Sequence, residues 1–172
     1  MSAVIPTPRV GSKTQPSSFN LTLPYPISAN RYWATRCVQI KGKWMPMVYV
    51  TSEAKDYKEQ VMWLCRSAGI RAPLEGRVAF TVKLYPNRPQ DYKTRMRKLG
   101  AEWDDGVMCI DLDNANKVLL DALKGIAIVD DKWVRLIVSE RMEPDENGAR
   151  VEITLERLAP VPQVAALFQA AP

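Results

Sequence analysis

The sequence predicts a single compact α/β domain of the α+β type, in which two main helices pack on a mixed β-sheet. Its length of 172 residues suits one domain. Segments in which apolar and polar residues alternate, as in strands, are interleaved with segments of helical spacing. Their order is typical of a mixed sheet covered by helices. We predict this domain over residues 19–158, between a disordered lead-in at 1–18 and a flexible Pro- and Ala-rich tail at 159–172.

The first strand is predicted at residues 19–23, where apolar and polar side chains alternate before a proline. Residues 24–33 contain two prolines and are predicted to form a stiff loop. Residues 47–50 are predicted to form a second short strand.

The first helix is predicted to begin at Thr51 or Ser52, either of which can cap it, and to end at Gly69. Its apolar residues recur at the spacing of one buried helix face: Ala54, Tyr57, Val61, Leu64 and Cys65. A strand is predicted at residues 77–85, because every second residue from Val78 to Leu84 is apolar.

The second half of the chain begins with a long charged connector at residues 86–109, with one helical turn near 92–99. A second helix is predicted at 112–124. Its core stripe consists of Ala115, Val118, Leu119, Ala122 and Leu123. Strands at 133–139 and 150–156 are separated by a turn-rich segment, which predicts a hairpin.

The composition excludes several classes of protein. The chain contains no histidine, which rules out His-based catalytic triads and His-ligated metal sites. Its three cysteines are widely spaced and form no C-x-x-C pair, which fits a reducing cytoplasm and predicts no zinc site. No apolar run has the length of a membrane span or of a signal peptide, so we expect no membrane partner.

Charge is distributed unevenly along the chain. Residues 83–98 hold six basic residues and one acid, whereas residues 102–131 hold eight acids and two bases. Basic side chains can hold a polyanion, and clustered carboxylates can bind the metal ion that offsets charge at a reacting phosphate. This layout favours a metal-dependent phosphodiesterase.

The acidic segment has a defined pattern. Asp111 stands at the start of the second helix, and Asp113 and Lys117 are four residues apart on the face opposite the core stripe. Asp130 and Asp131 are adjacent, just before the next strand. Two or three carboxylates suffice for Mg²⁺, which keeps several water ligands, and a nearby lysine can orient water or neutralise a phosphate oxygen.

Each of these residues also has a purely structural interpretation. Asp111 can be a helix N-cap, Asp113 and Lys117 can form a solvated ion pair, and Asp130 with Asp131 can form a turn. Taken together, however, at least four acids would converge beside one lysine without a counter-ion. Their mutual repulsion makes a bound cation the simplest remedy.

The same residues carry a resemblance to a known family. Asp-Leu-Asp-Asn at 111–114, a lysine three residues after the Asn, Asp-Ala-Leu at 121–123 and the Asp-Asp pair are similar, in this order, to the RusA family of Holliday junction resolvases. Leu-Pro-Tyr-Pro at 23–26, followed by Asn30-Arg31-Tyr32, resembles the opening of that family. The resemblance spans about residues 20–157.

The resemblance implies a small homodimeric, Mg²⁺-dependent endonuclease, of a type common in phages and prophages, that cuts four-way DNA junctions by paired symmetric nicks. Mn²⁺ can substitute for Mg²⁺. The expected location is the bacterial cytoplasm or an infected host cell. Carried over, Asp111, Asp113 and Asp131 are metal-binding catalytic acids, Lys117 is the catalytic lysine, and Asp130 is an accessory metal ligand.

Two features depart from the family pattern. Ile110 stands where one member of the family has a basic residue just before the first Asp, and the long connector at 86–109 stands where that member has a short link. Both departures concern the assignment of individual DNA contacts and leave the predicted metal site intact.

Candidate DNA contacts lie outside the acidic segment. Asn30, Arg31 and Tyr32, with the adjacent Trp33, can touch DNA or stack at the junction centre, or alternatively pack against the sheet. Basic residues of the connector can hold phosphates: Arg88, Lys93, Arg95, Arg97 and Lys98. Three other tryptophans are expected in the core or at a dimer contact: Trp44, Trp63 and Trp103.

Parts of the sequence also fit other functions. Residues 107–114 resemble the opening motif of haloacid dehalogenase-like phosphatases, a strand ending in D-x-D, in which Asp111 would accept the phosphoryl group and Asp113 would act as acid and base. A non-catalytic DNA-binding module would explain the basic run but not the acids. The tail at 163–168 loosely resembles clamp-binding peptides, so a weak sliding-clamp contact is a further candidate.

Overall fold

A computed structural model describes residues 17–159. Most of the predicted lead-in and tail, and the candidate clamp-binding segment at 163–168, lie outside the described residues. The elements are, in chain order, β1 (Ser18–Pro24), α1 (Ala29–Tyr32), β2 (Trp33–Ile40), β3 (Lys43–Val50), α2 (Ser52–Ser67), β4 (Val78–Tyr85), α3 (Tyr92–Leu99), α4 (Leu112–Leu123), β5 (Val134–Arg141) and β6 (Arg150–Arg157). Within this part of the chain no helix is long and apolar enough to cross a bilayer.

Four strands form a mixed sheet in the order β1-β6-β4-β5. β4 pairs with β5 in parallel and with β6 antiparallel, which confirms the predicted mixed sheet. The predicted hairpin between the last two strands is wrong, because β4 lies between them. Tyr85 of β4 pairs with Arg150 of β6, and the Arg150 guanidinium lies 3.8 Å from the centre of the Tyr85 ring while donating to Asp145. These contacts hold the loop between β5 and β6 against the end of β4.

Helices α2 and α4 cover one face of this sheet and close a single core. The predicted core stripe of α4 is confirmed, since all five of its residues are fully buried. In α2 the stripe is also confirmed except at Leu64, which is 38% exposed. Cys65 occupies the buried position of that turn, and its neighbour Leu64 is rotated toward solvent. The core therefore fixes which face of α4 points outward.

Strands β2 and β3 form a separate two-stranded ribbon. The sequence predicted only residues 47–50 of this ribbon as strand. The turn between the strands consists of Lys41 and Gly42, whose φ angles are 50° and 78°. Positive φ at both positions is what a tight two-residue hairpin turn requires. The base of the ribbon is closed by Thr51, whose N–H donates to the carbonyl of Tyr32 at 3.0 Å.

The connector between β4 and α4 is more ordered than predicted. Its single predicted turn is the eight-residue helix α3. Trp103 is buried and donates from Nε1 to Glu143 at 2.8 Å. Arg141, at the end of β5, donates to the carbonyls of Asp104 and Val107 at 2.7 and 2.8 Å. The connector is thus fastened to the sheet just before the acidic segment begins.

Candidate active site

Helix α4 presents Asp111, Asp113 and Lys117 to solvent at and after its start, opposite its buried face. Asp111 occupies the N-cap position, but its carboxylate makes no capping hydrogen bond and instead accepts from Asn114 Nδ2 at 3.3 Å. The N-cap interpretation of this side chain is therefore wrong. The Asp111 carboxylate remains exposed and able to bind a ligand.

Tyr25 positions the segment that leads into Asp111. Its hydroxyl accepts from the Ile110 N–H at 3.0 Å and donates to Cys109 Sγ at 3.3 Å. Burial, reinforced by the Cys109 hydrogen bond, raises the pKa of Tyr25 to about 12, so the hydroxyl stays protonated. The sequence reasoning used Tyr25 only as part of a motif and missed this role. An aromatic residue held between two prolines was the available signal.

An open groove of about 560 Å³ runs between the loop after β1 and the start of α4. Asn30 and Arg31 line one side, and Asp111 and Asn114 line the other. Arg31 also forms an exposed ion pair with Glu53 at 2.7 Å. The groove brings part of the predicted DNA-contacting loop and one predicted catalytic acid onto one surface.

Lys117 is held by an aromatic ring rather than by an acid. Its Nζ lies 4.8 Å from the centre of the Trp33 ring, at the first residue of β2. Among the described residues neither Lys117 nor Asp113 takes part in an ion pair, so the solvated-pair interpretation is wrong. A cation–π contact orients an ammonium without neutralising it. The Lys117 ammonium is therefore not occupied by an acid among the described residues and is available to a phosphate.

Tyr32 is fully buried, so the prediction that it contacts DNA is wrong. Helix α1, capped by Ser28, turns the ring into the core, where its hydroxyl donates to the Asp121 carboxylate. Burial, together with this hydrogen bond, raises the pKa of the Tyr32 hydroxyl well above its ordinary value. The neighbouring Trp33 is only half-buried and reaches the site through Lys117.

Asp130 and Asp131 have a counter-ion that the sequence reasoning did not consider. Lys124 Nζ lies 3.0 Å from Asp130 and 3.1 Å from Asp131. The backbone N–H of Lys132 and the Lys124 ammonium lower the pKa of Asp130 to about 2. As predicted by the turn interpretation, Asp130 also caps a short turn, accepting from Lys132 N at 3.0 Å. The prediction that these acids lack a counter-ion is wrong.

The two acidic groups lie near opposite ends of α4. Asp111 and Asp113 are at its start, whereas Lys124 holds Asp130 and Asp131 at its end. A helix of 12 residues is about 18 Å long. Within residues 17–159 no three His, Cys, Asp or Glu side chains are grouped closely enough to hold a metal ion. The predicted convergence of four carboxylates is thus not found within one chain.

Asp111 and Asp113 nevertheless fit a hard divalent ion. Both carboxylates are exposed, both belong to the start of α4, and neither is neutralised by a basic side chain among the described residues. Mg²⁺ is commonly bound by only one or two carboxylates, with water and substrate phosphates completing its shell. The donor set at the start of α4 meets that requirement once a DNA phosphate is present.

The basic connector places a cationic helix on the surface. Lys93, Arg97 and Lys98 of α3 are exposed and form no ion pair among the described residues. Arg88 pairs with Glu146 at 3.4 Å, and Arg95 pairs with Asp91 at 2.9 Å. Three of the five predicted phosphate contacts are therefore free to bind DNA.

Two exposed carboxylates at a helix start, a lysine one turn further on without an ion pair among the described residues, and a cationic surface helix are the features expected of a nuclease that uses a metal ion. The family model of the endodeoxyribonuclease RusA matches residues 24–156, and the chain belongs to that family. It is therefore an endodeoxyribonuclease, from a metal-dependent family that acts on branched DNA junctions. No curated protein gives a significant match to the chain.

The family membership excludes both alternative functions. The phosphatase motif also requires a strand ending at the first Asp, whereas residues 107–111 form no strand. A non-catalytic binding module is excluded because the family is one of hydrolases.

Proposed function

We propose that this chain resolves four-way DNA junctions by paired symmetric nicks in an Mg²⁺-dependent reaction, with Mn²⁺ as a substitute, in the bacterial cytoplasm or an infected host cell. The observation that carries the proposal is the exposed, unneutralised pair Asp111 and Asp113 beside Lys117, in a chain of the RusA family. The clamp contact proposed for residues 163–168 concerns residues outside the structure.

Each residue of the site has a separate role in hydrolysis. Asp111 and Asp113 would hold the ion, which when bound lowers the pKa of a water molecule and stabilises the departing oxygen. Lys117 neutralises charge on the scissile phosphate or orients the attacking water. Asn114 and Tyr25 fix the Asp111 carboxylate and the segment that precedes it. The expected products carry a 5′-phosphate and a 3′-hydroxyl.

The test is cleavage of a synthetic four-way junction. The wild-type protein is expected to cut the junction in Mg²⁺ or Mn²⁺, to leave a duplex of the same sequence intact, and to be inactive in EDTA. Religation of the nicked products by a DNA ligase checks the chemistry of the ends. An uncut junction in both metals, or equal cutting of duplex, contradicts the proposal.

Paired nicks require two equivalent sites, which a twofold-symmetric dimer supplies. The outer edge of β5 has no partner strand among the described residues, and Leu136, Ile137 and Val138 are exposed on it. An unpaired apolar edge favours pairing with a second copy. Asp131 lies just before this strand. We therefore propose that each metal site combines Asp111 and Asp113 of one copy with Asp131, supported by Asp130, of the other.

Shared sites predict that two inactive variants restore each other. Asp113→Asn and Asp131→Asn are each expected to lose cutting. A dimer that combines one chain of each variant has one site with every carboxylate intact, so a co-purified mixed dimer is expected to nick one strand of the junction. The measurement is single-strand nicking of an end-labelled junction by tagged mixed dimers. Sites contained within single chains would leave the mixed dimer as inactive as its parents.

A further inference from the structure

The ribbon formed by β2 and β3, residues 33–50, is here called the β-arm. Its strands pair only with each other and not with the four-stranded sheet. It exposes an unusual number of large apolar side chains: Ile40, Trp44, Met45, Met47, Val48 and Tyr49. An isolated two-stranded hairpin is only marginally stable in water, and exposed apolar patches mark interaction surfaces. The β-arm therefore has the features of an interaction surface.

We propose that the β-arm recognises the branch of the DNA junction, with Trp44 stacking on a base exposed at the branch point. This proposal rests on the proposed function, because it names the element by which the same site selects branched DNA. Trp44 is 70% exposed, two residues after the Lys41–Gly42 turn, and so lies close to the tip of the β-arm. Aromatic side chains bind unstacked bases of any sequence, since every base has a π-face.

The charge of the β-arm favours DNA over a second copy of the chain. Residues 33–50 contain Arg36, Lys41 and Lys43 and no acid. Two of these basic residues flank Gly42 at the tip, beside Trp44. Two such arms would repel each other, whereas a phosphate backbone would attract each of them.

The distribution of apolar residues over the two faces of the β-arm favours insertion. Directly paired residues share a face, and successive residues alternate between faces. Trp44 and Val48 therefore lie on one face, and Met45, Met47 and Tyr49 on the other. A ribbon that lies flat on a protein surface needs only one apolar face. Apolar side chains on both faces suit a ribbon that enters between separated bases.

The position of the β-arm connects it to the catalytic residues. Its first residue, Trp33, is the ring on which Lys117 rests. Each strand has eight residues and so spans about 26 Å. A two-stranded ribbon also fits the DNA major groove. When Lys117 lies at the scissile phosphate, the tip can reach a branch several base pairs away.

The test compares Trp44→Ala with Trp63→Ala, both in the non-cutting Asp113→Asn protein. Trp63 is a matched control because it is 62% exposed but lies on α2, outside the β-arm. Trp44→Ala is expected to weaken binding of a four-way junction roughly tenfold while changing duplex binding less than twofold. With 2-aminopurine at the branch point, the Asp113→Asn parent is expected to quench its fluorescence by stacking of Trp44, and this quenching is expected to disappear in Trp44→Ala. Trp63→Ala is expected to change neither.

Three results would overturn the proposal. The first is junction affinity in Trp44→Ala within twofold of its parent, and the second is an equal loss for junction and duplex. The third is dissociation of the Trp44→Ala protein into monomers in sedimentation velocity, which would make the β-arm a contact between copies. Thermal unfolding of each variant controls for misfolding. Because binding is measured without cutting, failure of wild-type cleavage would refute the proposed function separately from this proposal.

Discussion

Asp113→Asn is expected to lower the rate of junction cutting by on the order of a thousandfold, while junction binding is retained or tightened. The substitution replaces one of two exposed carboxylates at the start of α4 with a neutral group of nearly the same shape. It removes a metal ligand and also a negative charge that faces the DNA phosphates. The cutting rate should therefore fall while the affinity for the junction stays the same or rises.

The measurement is the single-turnover cutting rate in Mg²⁺, together with junction affinity measured in EDTA. Asp105→Asn is the matched control, because Asp105 is an exposed acid of the connector and lies outside the site. This control is expected to cut at the wild-type rate. A cutting rate of Asp113→Asn within tenfold of wild type would remove Asp113 from the metal site.

Local patterns in the sequence predicted local geometry correctly. Helical spacing alone put Asp113 and Lys117 on the face opposite the buried residues of α4, and the structure confirms it. Capping and apolar spacing predicted α2 in the same way. Such predictions succeed because the period of a helix is fixed by its own backbone.

Predictions that depended on contacts between different elements of the fold failed. Lys124 and Asp131 are close in sequence, but their ion pair depends on how the chain turns after α4. The hydroxyl of the buried Tyr32 donates to Asp121, which lies in another helix. Apolar and polar residues alternate in the last two strands, as they would in a hairpin, yet β4 lies between these strands. Alternation predicts a strand but does not predict which strands pair.

The β-arm was missed for a different reason. Its apolar residues have no core to face, so the pattern of one buried and one exposed side is absent from residues 33–50. The Lys41–Gly42 turn was a signal for a hairpin, since a glycine in a two-residue turn accepts positive φ. Because neither face of the ribbon is buried, its sequence lacks the alternation that identifies a strand. The same exposure of both faces indicates a partner outside this chain.

Lys117→Ala is expected to lower the single-turnover cutting rate at least about a hundredfold, with junction affinity reduced by no more than a few fold. The ammonium of Lys117 rests on the Trp33 ring and is not paired with an acid among the described residues. Its loss removes a charge that acts at one phosphate. Lys117→Arg should recover part of the rate, because it restores the charge but not the point-like geometry of an ammonium.

Lys98→Ala separates this role from general attraction to DNA. Lys98 is an exposed lysine of α3 without an ion pair among the described residues. Its removal is expected to weaken junction binding and to lower the salt dependence of binding by about one unit, because one phosphate contact is lost. At saturating enzyme its cutting rate should equal that of wild type. If Lys117→Ala behaved in the same way, with its rate fully restored at saturation, Lys117 would serve only to bind DNA and would have no part in the chemistry.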